Sequence, residues 1–193
     1  MAGFTSCHTH FHLREGDLLF HVVGDGQDNA ITDVTPGRID HVAIFIGTKV
    51  QGNEAAEARD YVVEAIGNGV VTTPLDSLLE RDGGRYLAGR VSGIDRRRSV
   101  SNALTYLGRP YDHLYSADDE AVYCSELVQL SFVDRHGQRV FAPVPMSFHD
   151  STGIVTPYWR DYYNRQGLEV PEGQPGTNPG ELSQRKQVKL LPF

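Results

Sequence analysis

The chain has 193 residues, a formal net charge of −7 at pH 7 and two cysteines. One domain accounts for this length, and a core of this size needs no disulfide or structural metal. Two cysteines exclude a disulfide-rich scaffold and a four-thiolate zinc site, and the negative charge argues against a surface for nucleic acid. No run of about 18 apolar residues is present, so no membrane-spanning segment is predicted.

Residues 1–12 are predicted to form an amino-terminal tail. Cys7 follows a small residue, as at the cleavage site of a bacterial lipoprotein, but the charged and apolar regions of a signal peptide are missing, as in a chain trimmed of its signal. This interpretation places the protein in the cell envelope or periplasm, with a lipid on Cys7 as a membrane tether, while a cytoplasmic location stays open. His8, His10 and His12 alternate and would share one face of an extended strand. No carboxylate lies close to them in the tail, so no metal or other cofactor is predicted.

Apolar, β-branched runs predict five strands, over 16–23, 41–46, 61–66, 69–73 and 85–91. The second and third runs are separated only by a polar linker. We therefore expect them to pair as antiparallel neighbours.

Helices are predicted over 73–80, 99–107 and 124–133, the first with Thr73 as N-cap and Pro74 at its first position. Consecutive strands with separate helices favour an α+β fold with a mostly antiparallel sheet. We place the catalytic domain at 13–165. Because 170–179 is rich in proline and glycine, we expect residues 166–193 to form an extended arm packed on this domain.

Cys124 stands at the start of an apolar helical run. The unpaired N–H groups at a helix N-terminus stabilise a thiolate and can also bind an oxyanion. A cysteine in a helix is equally well explained as a small buried apolar residue. A nucleophilic cysteine additionally needs a base and a group that orients the base.

His41 and Glu64 are the candidates for those two groups, because each lies within an apolar strand where an unpaired polar side chain is costly. If their strands pair, an imidazole and a carboxylate can face each other across the sheet. Each residue alone could also be a satisfied core histidine or a glutamate paired with an arginine. Together with Cys124 they predict a thiol, imidazole and carboxylate set.

The segment from Gly108 to Val128, with Gly-x-Pro-Tyr followed by Cys-Ser-x-Leu-Val, resembles the nucleophile region of the NlpC-like cysteine peptidase superfamily. The segments EGDLLF at 15–20, HVAIFIG at 41–47, VVEAIGNGVVTTPL at 62–75 and VPEGQPGTNPGELS at 170–183 are more specifically similar to the YiiX-like permuted papain-fold amidases. The chain order also fits a permuted fold, because the histidine precedes the cysteine.

The resemblance implies a circularly permuted papain-like fold, with a small antiparallel barrel or curved sheet packed against the nucleophile-bearing helix. It implies Cys124 as nucleophile, His41 as general base and then acid, and Glu64 as the group that fixes the imidazole tautomer. Tyr111 would orient the site or polarise the oxyanion, although an aromatic plug against the sheet explains this residue equally well.

The activity implied is that of a cysteine amidase or peptidase acting through a thioester. Its partner would be a peptide or N-acyl amide substrate, with peptidoglycan stem peptides first. The superfamily usually has Asp before the cysteine and Gly two residues after it, where this chain has Tyr123 and Glu126. Specificity therefore does not transfer directly from cell-wall peptidases.

Two other functions stay open. A lipid acyltransferase similar to lecithin retinol acyltransferase would need an apolar groove near Cys124, and the acidic residues Asp112, Asp118, Asp119 and Glu120 argue mildly against it. We interpret those acidic residues as a solvated loop. A non-catalytic binding module is the other alternative, and the presence of all three residue types of the set weighs against it.

Overall fold

Antiparallel strands form most of the fold. The structure is a computed structural model that describes residues 12–24, 26–27, 29–50, 58–81, 85–116 and 120–191, apart from the side chain of residue 50. The strands of the main sheet are β1 (Leu18–Val22), β2 (Ile39–Val50), β3 (Ala58–Ile66), β4 (Gly69–Pro74), β5 (Tyr86–Val91) and β8 (Val188–Leu191), and they lie in the order β4-β3-β2-β1-β5-β8. A second sheet pairs the two-residue strands β6 (Val144–Pro145) and β7 (Pro175–Gly176).

The α-helices are short, and those in the described residues all follow β4 in the chain. They are α1 (Leu75–Glu80), α2 (Arg96–Leu104), α3 (Cys124–Ser131), α4 (Pro157–Asn164) and α5 (Pro179–Ser183), with one 3-10 turn at Pro36–Arg38. All eight residues of α3 are buried. The structure is therefore a mixed α and β fold in which one wholly buried helix lies against an antiparallel sheet.

The core is formed where α3 packs on strands β2 and β3. Leu127 and Val128 of the helix belong to the same apolar cluster as Ile44 and Val63 of the strands. The predicted antiparallel pairing of β2 and β3 is confirmed, with Ile44 opposite Val63. This packing brings the first residue of α3 to the strands that carry His41 and Glu64.

The helix predicted from Thr73 begins later than expected. Pro74 is the residue that precedes the first turn, and α1 starts at Leu75. Thr73 instead continues β4, paired with Val62, and its hydroxyl bonds to Glu64 rather than to the helix. The prediction that Thr73 caps this helix is wrong, because pairing with β3 holds the residue in extended conformation.

The carboxy-terminal segment is not extended throughout, because it contains the helix α5 before the strand β8. Asn178 caps α5 by accepting a hydrogen bond from the backbone of Glu181. Farther along, β8 pairs with β5 and so becomes an edge of the main sheet. Proline and glycine are compatible with this helix because Pro179 stands at its first position, where a backbone N–H is not needed. The boundaries at residues 12, 165 and 166 stay predictions.

Candidate active site

His41 and Glu64 meet across the β2–β3 pair. The Nε2 atom of His41 lies 2.7 Å from Oε2 of Glu64, as the expected pairing of the two strands requires. An imidazole has two ring nitrogens, so this bond leaves Nδ1 of His41 for another partner. The sheet thus fixes both the position of the ring and which nitrogen stays available.

Glu64 is fully buried and is held by more partners than the sequence predicted. Arg81 donates two hydrogen bonds to its carboxylate, at 3.0 and 2.7 Å, and Thr73 donates a third at 2.5 Å. Burial alone would raise the pKa of Glu64, but the bonds from His41 and Arg81 prevail and lower it to about 2. Glu64 is therefore ionised at neutral pH.

Cys124 is the first residue of α3 and is 5% exposed. It forms a hydrogen bond with His41, which is also bonded to Glu64. Burial lowers the pKa of His41, but its bonds to Cys124 and Glu64 outweigh burial and raise the pKa to about 10. His41 accordingly carries its proton at neutral pH and lies between the sulfur and the carboxylate.

Tyr111 is placed near Cys124 by backbone pairing between its own segment and the residues that precede α3. The carbonyl of Pro110 accepts a hydrogen bond from the N–H of Val122 at 3.0 Å, so the two chain segments lie side by side. Tyr111 consequently lines the pocket that contains Cys124. Burial, followed by the charge of Cys124, raises the pKa of Tyr111, so its hydroxyl keeps its proton and can act as a donor.

The β3–β4 turn supports this segment from the other side. Gly69 has φ of +98°, and a Cβ atom placed on it would overlap the carbonyl oxygen of Arg109. The N–H of Val70 donates to that same oxygen at 2.9 Å. A glycine is needed here because the backbone conformation and the close approach both exclude a side chain.

The pocket at Cys124 is mainly aromatic and aliphatic. Its apolar side chains come from the loop after β1, from the segment that leads into α3 and from the carboxy-terminal third of the chain. They include Ile31, Val34, Tyr115, Tyr123, Met146, Phe148 and Trp159. The polar residues Ser125, Thr177 and Asn178 lie among them. Cys124 thus lies at a pocket whose lining is mainly apolar.

Two groups of the site were not predicted from the sequence. Asp40 lines the pocket beside Cys124, and its carboxylate bonds to Nδ1 of His21 and to the amide of Asn29, each at 2.7 Å. Tyr115 lies in the same pocket. Alternation along β2 places Asp40 and His41 on opposite faces, so the sequence pattern did not indicate Asp40. Nothing in the sequence pattern indicated Tyr115.

The two residues that depart from the superfamily pattern are both buried. The hydroxyl of Tyr123 accepts a hydrogen bond from the N–H of Thr177 at 3.1 Å, which ties the carboxy-terminal arm to the start of α3. Glu126 lies in the first turn of α3 and is 6% exposed. Tyr123 therefore contributes to the wall of the pocket that Thr177 also lines.

The acidic loop differs from the expected solvated face. Asp112 is 4% exposed, and its carboxylate accepts hydrogen bonds from the backbone N–H groups of Leu114 and Ser116. The expectation is wrong for Asp112, because its carboxylate holds the loop together instead of facing water. Asp118 and Asp119 lie outside the described residues.

His8, His10 and Cys7 also lie outside the described residues, while His12 is described and exposed. Within the described ranges, no three His, Cys, Asp or Glu side chains are grouped so as to hold a metal ion. In the same part of the chain, no helix has the length and apolar character needed to cross a bilayer.

Comparison with known proteins decides the family. A family model described as permuted papain-like amidase enzymes, YaeF/YiiX, C92 family, matches residues 12–191. The chain belongs to this family. The match includes the strands with His41 and Glu64 and the helix with Cys124, so the resemblance noted in the sequence is confirmed.

Two similar proteins from Escherichia coli bear the same family name. The uncharacterized protein YiiX of strain K12 is 30% identical over 132 residues, which are 66% of this chain and 61% of that protein. The chain thus matches less than two thirds of that relative. A crystal structure of YiiX from strain O157:H7, described as a metalloprotein, has a TM-score of 0.70 and 25% identity, covering 92% of this chain and 96% of the other.

Proposed function

We propose that the protein is a cysteine amidase or peptidase in which Cys124, His41 and Glu64 act as the catalytic set. Membership of the permuted papain-like amidase family supports a cysteine-type hydrolase. The single observation that carries the proposal is the hydrogen-bonded chain from Cys124 through His41 to Glu64 at the N-terminus of a buried helix. This order is the one that nucleophilic thiol catalysis requires.

In the proposed reaction, His41 already holds the proton of the Cys124 thiol, and the sulfur attacks the amide carbonyl carbon. The backbone N–H of Cys124, at the first position of the helix, and the Tyr111 hydroxyl stabilise the oxyanion. His41 then protonates the amine as the C–N bond breaks, which leaves a thioester on Cys124. A water molecule gives a proton to His41 and attacks the thioester, and the C–S bond breaks to release the acid and restore the Cys124 sulfur beside protonated His41.

We propose cell-envelope peptides, first peptidoglycan stem peptides, as the substrate. The support is the motif shared with NlpC-like enzymes, at Gly108–Tyr111 and Cys124–Val128, beside an antiparallel sheet that packs on the nucleophile helix. The same similarity is the basis for proposing that the sheet curves like an NlpC-like barrel. An envelope location and a lipid tether on Cys7 stay part of this proposal, and membrane fractionation of the Cys7→Ala variant tests them.

A second candidate, hydrolysis or transfer of a fatty acyl group in the manner of lecithin retinol acyltransferase, is favoured by one observation. The groove at Cys124 is lined by Ile31, Val34, Met146, Phe148 and Trp159. An apolar groove at the nucleophile is the feature that a lipid substrate requires. In that reaction the acyl group passes from the thioester on Cys124 to an acceptor amine or alcohol in place of water.

The YiiX protein of known structure is described as a metalloprotein, which raises the question of a metal in this chain. The described residues bring together no donor set of the size that a metal site needs. Of the three alternating histidines, only His12 is described, and its exposed position gives it no carboxylate partner of the usual kind. No step of the proposed reaction passes through a metal.

The deciding experiment incubates the protein with digested peptidoglycan and with a panel of N-acyl amides, with and without hydroxylamine, and identifies products by mass spectrometry. Cys124→Ala is the test variant, and Cys7→Ala is the matched control because it removes the other thiol. Cleaved stem peptides support the first proposal. Fatty acyl products, or hydroxamates formed in preference to acids, support the second. Products that are the same with Cys124→Ala, or absent, contradict both and favour a binding module.

A further inference from the structure

Tyr115 has a backbone conformation that aromatic residues rarely adopt. Its φ is +51°, in the left-handed region that favours glycine. A bulky side chain persists there only when its surroundings impose the conformation, and such positions are common at active sites. The ring of Tyr115 lines the pocket that contains Cys124. This position raises the question of what the strained residue does there.

Several hydrogen bonds hold the backbone on either side of Tyr115. The carboxylate of Asp112 accepts from the N–H of Leu114 at 2.8 Å and from the N–H of Ser116 at 2.6 Å. The hydroxyl of Tyr163 donates to the carbonyl of Leu114 at 2.9 Å. Because Asp112 is buried, these bonds are protected from water. The loop is therefore built to keep residue 115 where it is.

The phenol ring is fixed as firmly as the backbone. Its centroid lies 5.1 Å from that of Tyr123 and 5.6 Å from that of Trp159, with edge-to-face geometry at both contacts. Two rings meeting a third in this way restrict its rotation. The hydroxyl consequently points in one defined direction, and it bonds to the hydroxyl of Tyr111.

The bond between the two phenols leaves one hydroxyl hydrogen for a further partner. Each phenol has one hydrogen, and one of the two is used between them. Burial raises the pKa of both tyrosines, so both keep their protons at neutral pH. The phenol of Tyr115 is held in place by ring contacts with Tyr123 and Trp159, so we assign it the outward donation and Tyr111 the bond between the two phenols. The hydrogen of Tyr115 is then the one that remains.

We propose that Tyr115 is a catalytic residue whose hydroxyl donates a hydrogen bond to the oxyanion formed at Cys124, with Tyr111 as the positioning residue behind it. The inference rests on the proposed function and refines it, because Tyr111 then acts on the oxyanion through Tyr115. No proton is transferred in this step. A donor that is already oriented stabilises the developing charge without reorganisation, which is why a strained position is worth keeping.

The test compares two reactions of Cys124 that differ in the formation of an oxyanion. Acylation by p-nitrophenyl acetate passes through a tetrahedral oxyanion. Its rate is measured from the initial burst of p-nitrophenol release. Alkylation by iodoacetamide forms no oxyanion. In Tyr115→Phe we expect the burst rate to fall by roughly 100-fold, the size typical for loss of one oxyanion donor, with the alkylation rate unchanged. In Tyr111→Phe the burst rate should fall by a smaller factor, again with the alkylation rate unchanged.

Tyr158→Phe is the matched control, because Tyr158 also contacts the Trp159 ring and is exposed. It should leave both rates unchanged. A Tyr115→Phe burst equal to wild type, or equal losses in acylation and alkylation, overturns the role of Tyr115 while the proposed function stands. If the wild-type burst equals that of Cys124→Ala, the proposed function fails and the role of Tyr115 fails with it.

Discussion

At the scale of single residues, Glu64 determines how His41 is held. A fully buried carboxylate is tolerated only when charged or polar partners surround it. Arg81 occupies both carboxylate oxygens, so the bond to His41 does not have to compensate the whole charge. The imidazole is left with Nδ1 available for Cys124. Glu64 thus has a structural role towards Arg81 and an orienting role towards His41.

Replacing Glu64 by Gln tests both roles at once. The neutral amide removes the charge opposite Arg81, and breaking a buried pair of this kind costs about 3 kcal/mol of unfolding free energy. Asp76→Asn is the matched control, because Asp76 pairs with Arg59 at an exposed site and should cost about 0.5 kcal/mol at most. Urea unfolding of both variants measures the difference. Equal losses of unfolding free energy in the two variants would show that the charge of Glu64 does not stabilise the site.

The reactivity of Cys124 gives a second prediction at this scale. Alkylation by iodoacetamide requires the thiolate, and an ordinary thiol with a pKa near 8.5 reacts slowly at pH 6. Because protonated His41 stabilises the unprotonated sulfur beside it, we expect Cys124 in a Cys7→Ser background to react at least about tenfold faster than N-acetylcysteine at pH 6. His41→Ala should remove that advantage. Rates that match N-acetylcysteine, and that do not change in His41→Ala, contradict an activated thiol.

The sequence predicted His41 and Glu64 for a simple physical reason. Each is a polar residue within an apolar strand, and burial obliges such residues to find partners. Arg81 could not be predicted in the same way, because its contact with Glu64 depends on how the chain turns after α1. Tyr115 was missed because its position depends on the hydrogen bonds of Asp112 and on no periodic pattern.

At the scale of elements, two Thr-Pro pairs show why local signals are ambiguous. Thr156 caps α4, with Pro157 at its first position. Thr73 and Pro74 have the same pattern but remain paired with β3. The difference lies outside each pair, because a neighbouring strand is available to residues 73 and 74. The strands were easier to predict than the helix starts because long apolar runs report burial directly.

The β3–β4 turn gives a prediction at this scale. In Gly69→Ala, the new Cβ would meet the carbonyl of Arg109 and the residue would keep an unfavourable positive φ. We expect a loss of about 1–3 kcal/mol in unfolding free energy and a slower reaction of Cys124 with p-nitrophenyl acetate, because the Tyr111 segment is displaced. Gly67→Ala is the matched control, since no atom lies within 4 Å of its Cβ position. The prediction fails if the two variants behave alike in urea unfolding and in acylation.

At the scale of the whole molecule, chain order and site assembly are separate matters. The strands with the imidazole and carboxylate come before the helix with the thiol, and the contact between α3 and strands β2 and β3 brings them together. The carboxy-terminal segment then completes the pocket, with Thr177 held by Tyr123 and β8 at the edge of the sheet. The family motifs predicted that Cys124, His41 and Glu64 would meet. The proline and glycine content of residues 166–193 did not predict the helix and strand that form there.

Stability should depend on pH through the groups of this site. The pKa of Glu64 is lowered from 4.5 to about 2, so its stabilisation is present above pH 4.5 and lost as the pH falls towards 2. The pKa of His41 is raised from 6.5 to about 10, so its stabilisation is present below pH 6.5 and lost as the pH rises towards 10. These two groups together predict maximal stability between pH 4.5 and 6.5.

Cys124→Ala separates the two limbs of this pH profile. The variant removes the hydrogen bond and the charge that raise the pKa of His41, while the bonds from Arg81 and Thr73 to Glu64 remain. We therefore expect the alkaline loss of stability to begin at the same pH, near 6.5, but to end at lower pH and to be smaller, with the acid limb unchanged. Urea unfolding from pH 3 to pH 10 measures both limbs. An alkaline limb identical to that of the wild type would show that Cys124 and His41 do not share a proton.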